Sequence, residues 1–167
     1  SEMCIRDREW VLHNYESPQP VEEEAPAEEY LPGTRENLDV NICPYIEQNP
    51  DTKFVVFFPP YSILFWNDVV VGNHLEATLA QYRYLAERLN AYDNVEVYFF
   101  PDREDIILDL NNYADYSHYH PRYNRFMAEC FADGSTGLVA KEGSKKGKMI
   151  DEYLSHMKTI VLNYDFE

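Results

Sequence analysis

Two short apolar runs, each shut off by proline, constrain this chain more than any other feature. Lys53-Phe54-Val55-Val56-Phe57-Phe58 runs into Pro59-Pro60, and Val95-Glu96-Val97-Tyr98-Phe99-Phe100 runs into Pro101. A continuous run of β-branched and aromatic residues suits a strand covered on both faces, as in a parallel sheet. Between the runs, Asn73 to Asn90 places Leu75, Leu79, Tyr82, Ala86 and Leu89 on one helical face, and Tyr92-Asp93-Asn94 makes a turn. Strand, long helix, strand is a βαβ unit with a right-handed crossover. The predicted class is therefore α/β with a parallel sheet. Two such strands do not normally stand as a sheet of their own, since common sheets have about four to six strands. The sequence thus predicts further strands upstream of residue 9.

Composition excludes several function classes. Fourteen Lys and Arg stand against 30 Asp and Glu, a net charge of −16. No basic stripe offers itself to phosphates, which argues against a nucleic-acid-binding surface. No run approaches the roughly 18 apolar residues of a membrane span. Cys4, Cys43 and Cys130 have no CxxC spacing, against a disulfide scaffold or zinc knuckle. The 45% apolar content, with 14 Tyr and 9 Phe, is enough material for a packed core.

Ser1 to Arg8 shows no hydrophobic period and no apolar segment of a signal peptide. Met3 to Asp7 back-translates as ATG TGT ATA AGA GAC, which resembles a transposon end used in building sequencing libraries. Residues 1–8 are accordingly expected to be adapter-derived and free of stable contacts with the body, on a gene cut at its 5′ side. Residues 9–33 are expected to be an acidic linker or surface loop. Within them, Pro18, Pro20, Pro26 and Pro32 alternate with Glu16, Glu22, Glu23, Glu24, Glu28 and Glu29, with no basic residue from Glu16 to Gly33.

Residues 34–167 form the α/β unit. Thr34 is the expected N-cap of a helix with Leu38, Ile42, Tyr45 and Ile46 on one face, kinked or broken at Pro44. Glu104 to Leu110 fits one or two helical turns, and Asn111 to His120 a polar, aromatic loop. Pro121 opens a helix with Tyr123, Phe126, Met127 and Cys130 as its buried stripe and Gly134 as its stop. Ser135 to Gly147 is a Gly/Ser/Lys-rich connection. A terminal amphipathic helix follows, with Met149, Ile150, Tyr153, Leu154, Met157, Ile160, Val161 and Tyr164 on its apolar face.

The segment that carries chemistry is Asp115-Tyr116-Ser117-His118. In a tight turn, this spacing lets the carboxylate accept from the nearer imidazole nitrogen. That fixes the tautomer and leaves the other nitrogen free to take a proton from a serine hydroxyl. The same spacing also suits a histidine that merely braces a loop. The loop's place, after a parallel strand and before a helix, favours the first reading, because open α/β sheets bind ligands at the carboxyl ends of their strands.

With Asp115-Tyr116-Ser117-His118-Tyr119, Pro121 and Asn124, and with Asn49-Pro50-Asp51-Thr52-Lys53-Phe54 leading into Phe57-Phe58-Pro59-Pro60-Tyr61-Ser62, the chain resembles the SGNH/GDSL hydrolases, in particular their bacterial cell-envelope members. The resemblance spans about Asn37 to Phe131, the C-terminal half of such a domain. It implies a flavodoxin-like, three-layer fold truncated at its N-terminus. It implies His118 as general base and Asp115 as its orienting partner, in a serine esterase or acyltransferase acting on acyl esters of an envelope carbohydrate or similar substrate. No metal or organic cofactor is implied. Location outside the cytoplasm is implied, with any membrane association through an N-terminal anchor upstream. The family's nucleophilic Ser and oxyanion Gly blocks have no counterpart here, and Asn67 lacks the glycine spacing of its Asn block. A binding or assembly protein that keeps the cleft without the chemistry is the alternative.

Tyr61, Ser62 and Trp66 are candidate substrate contacts after the first strand. Ser62 lacks the Gly-x-Ser-x-Gly elbow of a nucleophile, and Pro59-Pro60 gives the wrong turn chemistry, so as a hydroxyl it reads rather as a cap for the next turn. Trp66 reads as cleft wall or plain packing. His118 and His120 beside Asp115 lack a third strong metal ligand at a telling spacing. His120 suits the surface at a helix start, and Lys145-Lys146-Gly147-Lys148 a solvated loop.

Overall fold

The structure, a computed structural model, describes residues 8–165. The expected adapter segment lies outside these residues except for Arg8. That residue departs from the expectation: it opens helix α1 (Arg8–His13) and its backbone N–H donates to Asn111 Oδ1 at 3.0 Å.

The chain is mixed α/β around a small two-stranded parallel sheet. Strands β1 (Phe54–Phe58) and β2 (Val95–Phe99) pair in parallel, with Phe54 opposite Val95 and Phe58 opposite Phe99. On one face, Val56, Phe58, Val95, Val97 and Phe99 pack with helices α4 (Ile63–Val71), α5 (Leu75–Asn90) and α8 (Ile150–Asn163). On the other, α7 (Arg122–Asp133) brings Met127 and Cys130 against Tyr98 and Phe100. Gly134 closes α7 in the left-handed region at φ 68°, where a Cβ is disfavoured.

Both faces of β2 are covered except at the partly exposed Glu96, whereas β1 is open on one side. Val55 is 38% and Phe57 40% exposed, with the Phe131 ring of α7 lying 5.5 Å from that of Phe57. No described residue pairs with the outer edge of β1. The outer edge of β2 is covered by the segment expected to be a mere connection. Phe99 N–H donates to Gly137 O and Val139 N–H to Val97 O, both at 2.8 Å, with Tyr98 and Leu138 bridged antiparallel. Residues 137–140 thus cover that edge by an isolated bridge, and the strands expected upstream of residue 9 lie outside the described residues.

The region before β1 is also rearranged. Residues 16–30 follow the surface as an acidic strap, tied by Val21 N–H to Val71 O at 3.0 Å and Ala25 N–H to Asn73 O at 2.9 Å. Helix α2 (Leu31–Asn37) begins inside the expected loop, so Thr34 sits within its first turn and its hydroxyl donates to Tyr30 O at 2.6 Å. A π-helical turn, Leu38–Ile42, joins α2 to α3 (Cys43–Gln48). Pro44 cannot donate to the carbonyl four residues back and crowds it, so the helix widens just before it. The wider turn rotates the face. Leu38, Cys43 and Ile46 are buried, whereas the expected face residues Ile42 and Tyr45 are exposed.

Candidate functional site

The loop after β2 is a built turn. It follows a short helix α6 (Glu104–Ile107). Asp109 Oδ1 accepts from Asn111 N–H at 3.1 Å and starts a 3-10 turn, Leu110–Asn112. The buried Asn112 side chain donates to Ile106 O at 3.0 Å and accepts from the Arg122 guanidinium. Tyr113 and Tyr119 then pair across an antiparallel bridge, Ala114 N–H donates to His118 O at 2.8 Å, and His120 N–H donates to Asn112 O at 2.7 Å. Asp115 to His118 form the tip.

At that tip the Asp115 carboxylate has three short donor contacts and a longer one, from Ser117 Oγ to Oδ1 at 3.4 Å. Oδ1 accepts from the backbone N–H of Ser117 at 2.9 Å and of His118 at 2.8 Å, and Oδ2 lies 2.7 Å from His118 Nδ1. A carboxylate only accepts, so Nδ1 carries a proton, and in the neutral ring Nε2 presents a lone pair. Partial burial works against the charge on Asp115, but the His118 and Ser117 N–H groups and the imidazole outweigh it and hold the carboxyl below its ordinary value. His118 Nε2 has no hydrogen-bond partner among the described residues, and the side chain is 76% exposed.

The dyad lies on a cleft of about 900 Å³ at the carboxyl end of β1. Phe57, Pro59 and Tyr61 line it from the β1 side, and Ala114, Tyr119, Pro121 and Asn124 from the dyad side. The Tyr61 ring packs on Phe65 with centroids 4.5 Å apart. Burial, and then the neighbouring Tyr61, raise the Tyr119 hydroxyl above its ordinary value.

The structure takes Ser62 and Trp66 out of the substrate-contact set. Ser62 is wholly buried as the N-cap of α4, its oxygen accepting from Leu64 N–H at 3.2 Å and Phe65 N–H at 3.4 Å while its proton goes to Tyr116 O. Trp66, at 0% exposure, points into the core, edge-on to Tyr82 at 6.0 Å and Phe65 at 5.3 Å. Both follow from Ser62, directly after Tyr61, being the N-cap of α4, which turns positions 62 and 66 onto the helix's inner face. Asn67 is directed away from the cleft, donating to Tyr15 Oη at 2.8 Å and Ser17 Oγ at 3.2 Å. His120 Nδ1 accepts from Arg122 N–H at 3.0 Å and is occupied in starting α7. Among the described residues no three His, Cys, Asp or Glu side chains gather to hold a metal. Ser117 Oγ is near the wrong nitrogen, 3.4 Å from Nδ1.

A second Asp–His pair was invisible in the sequence. Asp102, just past β2 and 7% exposed, has Oδ2 3.1 Å from His156 Nδ1 on α8. Its surroundings are an open hollow lined by Arg103, Glu104, Asp105 and Lys148, with no aromatic wall. Compared with protein-family models, curated proteins and solved structures, the chain gives no match.

Proposed function

We propose that this chain supplies the Asp–His part of an SGNH-type serine ester hydrolase or acyltransferase, with His118 as general base and Asp115 as the group that orients it. The parent fold on this reading is flavodoxin-like, and the substrate is an acyl ester on an envelope carbohydrate or similar molecule outside the cytoplasm. The observation that carries the reading is the 2.7 Å contact between Asp115 Oδ2 and His118 Nδ1, beside an open cleft at the end of a parallel strand. The chemistry asks for a base whose tautomer is fixed on one nitrogen and whose other nitrogen reaches a hydroxyl at roughly 2.6–3.2 Å. Tyr61, Phe57 and Tyr119 give the cleft the apolar and aromatic lining that an acyl or sugar moiety needs.

No serine among the described residues reaches Nε2, so the nucleophile must come from a segment outside residues 8–165. The same fact favours the second reading, a non-catalytic binding or assembly protein that keeps the cleft. Expression of the genomic reading frame upstream of residue 9 joined to this chain decides between them. Hydrolysis of p-nitrophenyl acetate and labelling by a fluorophosphonate are expected from the joined protein and not from the chain alone. His118→Ala is expected to remove most of the activity. A joined protein that neither turns over nor labels supports the binding reading.

A further inference from the structure

The bonds inside the 113–119 turn fix its shape but not its place against the facing wall of the cleft. Two buried side chains make that tie. Tyr113, 1% exposed, donates its hydroxyl to Pro60 O at 2.7 Å, and the wholly buried Ser62 donates to Tyr116 O. The two ties bracket Asp115, one two residues before it and one a residue after. Both end on the Pro59–Ser62 connection that carries Tyr61.

We propose that Ser62 and Tyr113 are positioning residues that clamp the Asp115–His118 turn to the β1–α4 connection, so that Nε2 and the Tyr61 wall keep a fixed relation. A hydroxyl has one proton and two lone pairs, and Ser62 commits all three: to Tyr116 O, Leu64 N–H and Phe65 N–H. The residue that resembles a misplaced nucleophile is thereby a junction between the α4 N-terminus and the dyad turn. The need for one is physical. A seven-residue turn with Tyr116 and His118 exposed gains order only where its bonds offset the backbone entropy lost, about 1–2 kcal/mol per residue. A base displaced by even about 1 Å loses much of its effect. Calling His118 a base rests on the reading above; the clamp itself does not.

The test uses the chain as it stands, with Tyr113→Phe and Ser62→Ala. Hydrogen exchange follows the Ala114, Ser117 and His118 amides, and long-range ¹H–¹⁵N spectra follow the His118 tautomer. Each variant is expected to speed exchange at these three amides by about tenfold or more, and to mix the ring tautomers, while β2 amides keep their protection. Tyr113→Phe has no helix cap to lose, so it keeps the test decisive if Ser62→Ala loosens α4. Wild-type exchange and tautomer in either folded variant overturns the clamp. Neither readout needs substrate or an upstream serine, so loss of the hydrolase reading leaves this result standing, and the reverse.

Discussion

Asp115→Asn keeps the shape of the turn and removes its charge. The asparagine oxygen, in the place of Oδ1, still accepts from Ser117 and His118 N–H at 2.9 and 2.8 Å. Its NH₂ then stands in the place of Oδ2, 2.7 Å from His118 Nδ1. Two donors cannot share that contact, so Nδ1 must become the acceptor and the ring proton must move to Nε2. The opposite amide orientation would aim NH₂ at two backbone N–H groups and is worse. A hydrogen bond to a charged group contributes about 1.5–3 kcal/mol against about 0.5–1.5 for a neutral one, so three bonds each lose roughly 1 kcal/mol. The Asp115 side chain is 43% exposed, and solvent screening brings the sum down to about 1–2 kcal/mol. That cost falls on the turn, which opens without the sheet, so the global unfolding midpoint is expected to move little. The chemical consequence is larger, since a protonated Nε2 cannot receive a serine proton; in the Ser-His-Asp template the same replacement lowers kcat by about 10⁴. Long-range ¹H–¹⁵N spectra of His118 are expected to show Nδ1–H in the wild type and Nε2–H in the variant. The same tautomer in both would refute the reasoning, whether or not the protein is an enzyme.

Three further outcomes are expected. Trp66→Ala should cost about 3–5 kcal/mol in denaturant unfolding, and Trp66→Phe much less, because the buried indole N–H has no partner to lose. Gly147 and Gly143 both have positive φ, 81° and 74°, but only at Gly147 would a Cβ collide with backbone, the Leu138 carbonyl. Gly143→Ala should therefore cost about 1 kcal/mol of backbone strain, whereas Gly147→Ala should cost clearly more and speed exchange at Ala140 and Lys148. The folded Asp115 carboxyl is held below its unfolded value, so its contribution is fully present above about pH 4 and is lost as pH falls through the lower folded value. The protection of the Ser117 and His118 amides, taken against the intrinsic exchange rate at each pH, should fall in that acid window and stay level above it.

The βαβ unit was legible because its signals are local. The apolar runs stop at Pro59 and Pro101, α5 repeats its apolar residues at helical spacing, and the two strands pair in parallel as that order requires. What sequence could not show depended on partners far along the chain. Gly137 to Ala140 carry no strand pattern; they pair with β2 because its outer edge is left open and positive-φ glycines at 137 and 147 let the backbone approach. The face of the helix before β1 departs from its sequence pattern for a different reason. Pro44 marks a break in periodicity, and the π-helical turn that absorbs it adds a residue to the repeat, which turns Tyr45 outward and Cys43 inward.

The candidate site divides the same way. Asp115 and His118 meet three positions apart at the tip of one turn, closed by tyrosines at 113 and 119, and such a contact needs no knowledge of the fold. Asp102 and His156 meet across 54 residues, only because α8 crosses the end of β2, and no spacing rule could join them. Ser62 and Trp66 show a third case. Their residue types suited a cleft, but placement on a helix decides direction before chemistry does, and the N-cap of α4 is the residue directly after Tyr61. Tyr61 therefore stays on the connection and faces the cleft, while the next side chain caps the helix and the fourth after that enters the core. The boundary of α4, rather than the identity of any residue, separates cleft wall from support at this end of the strand.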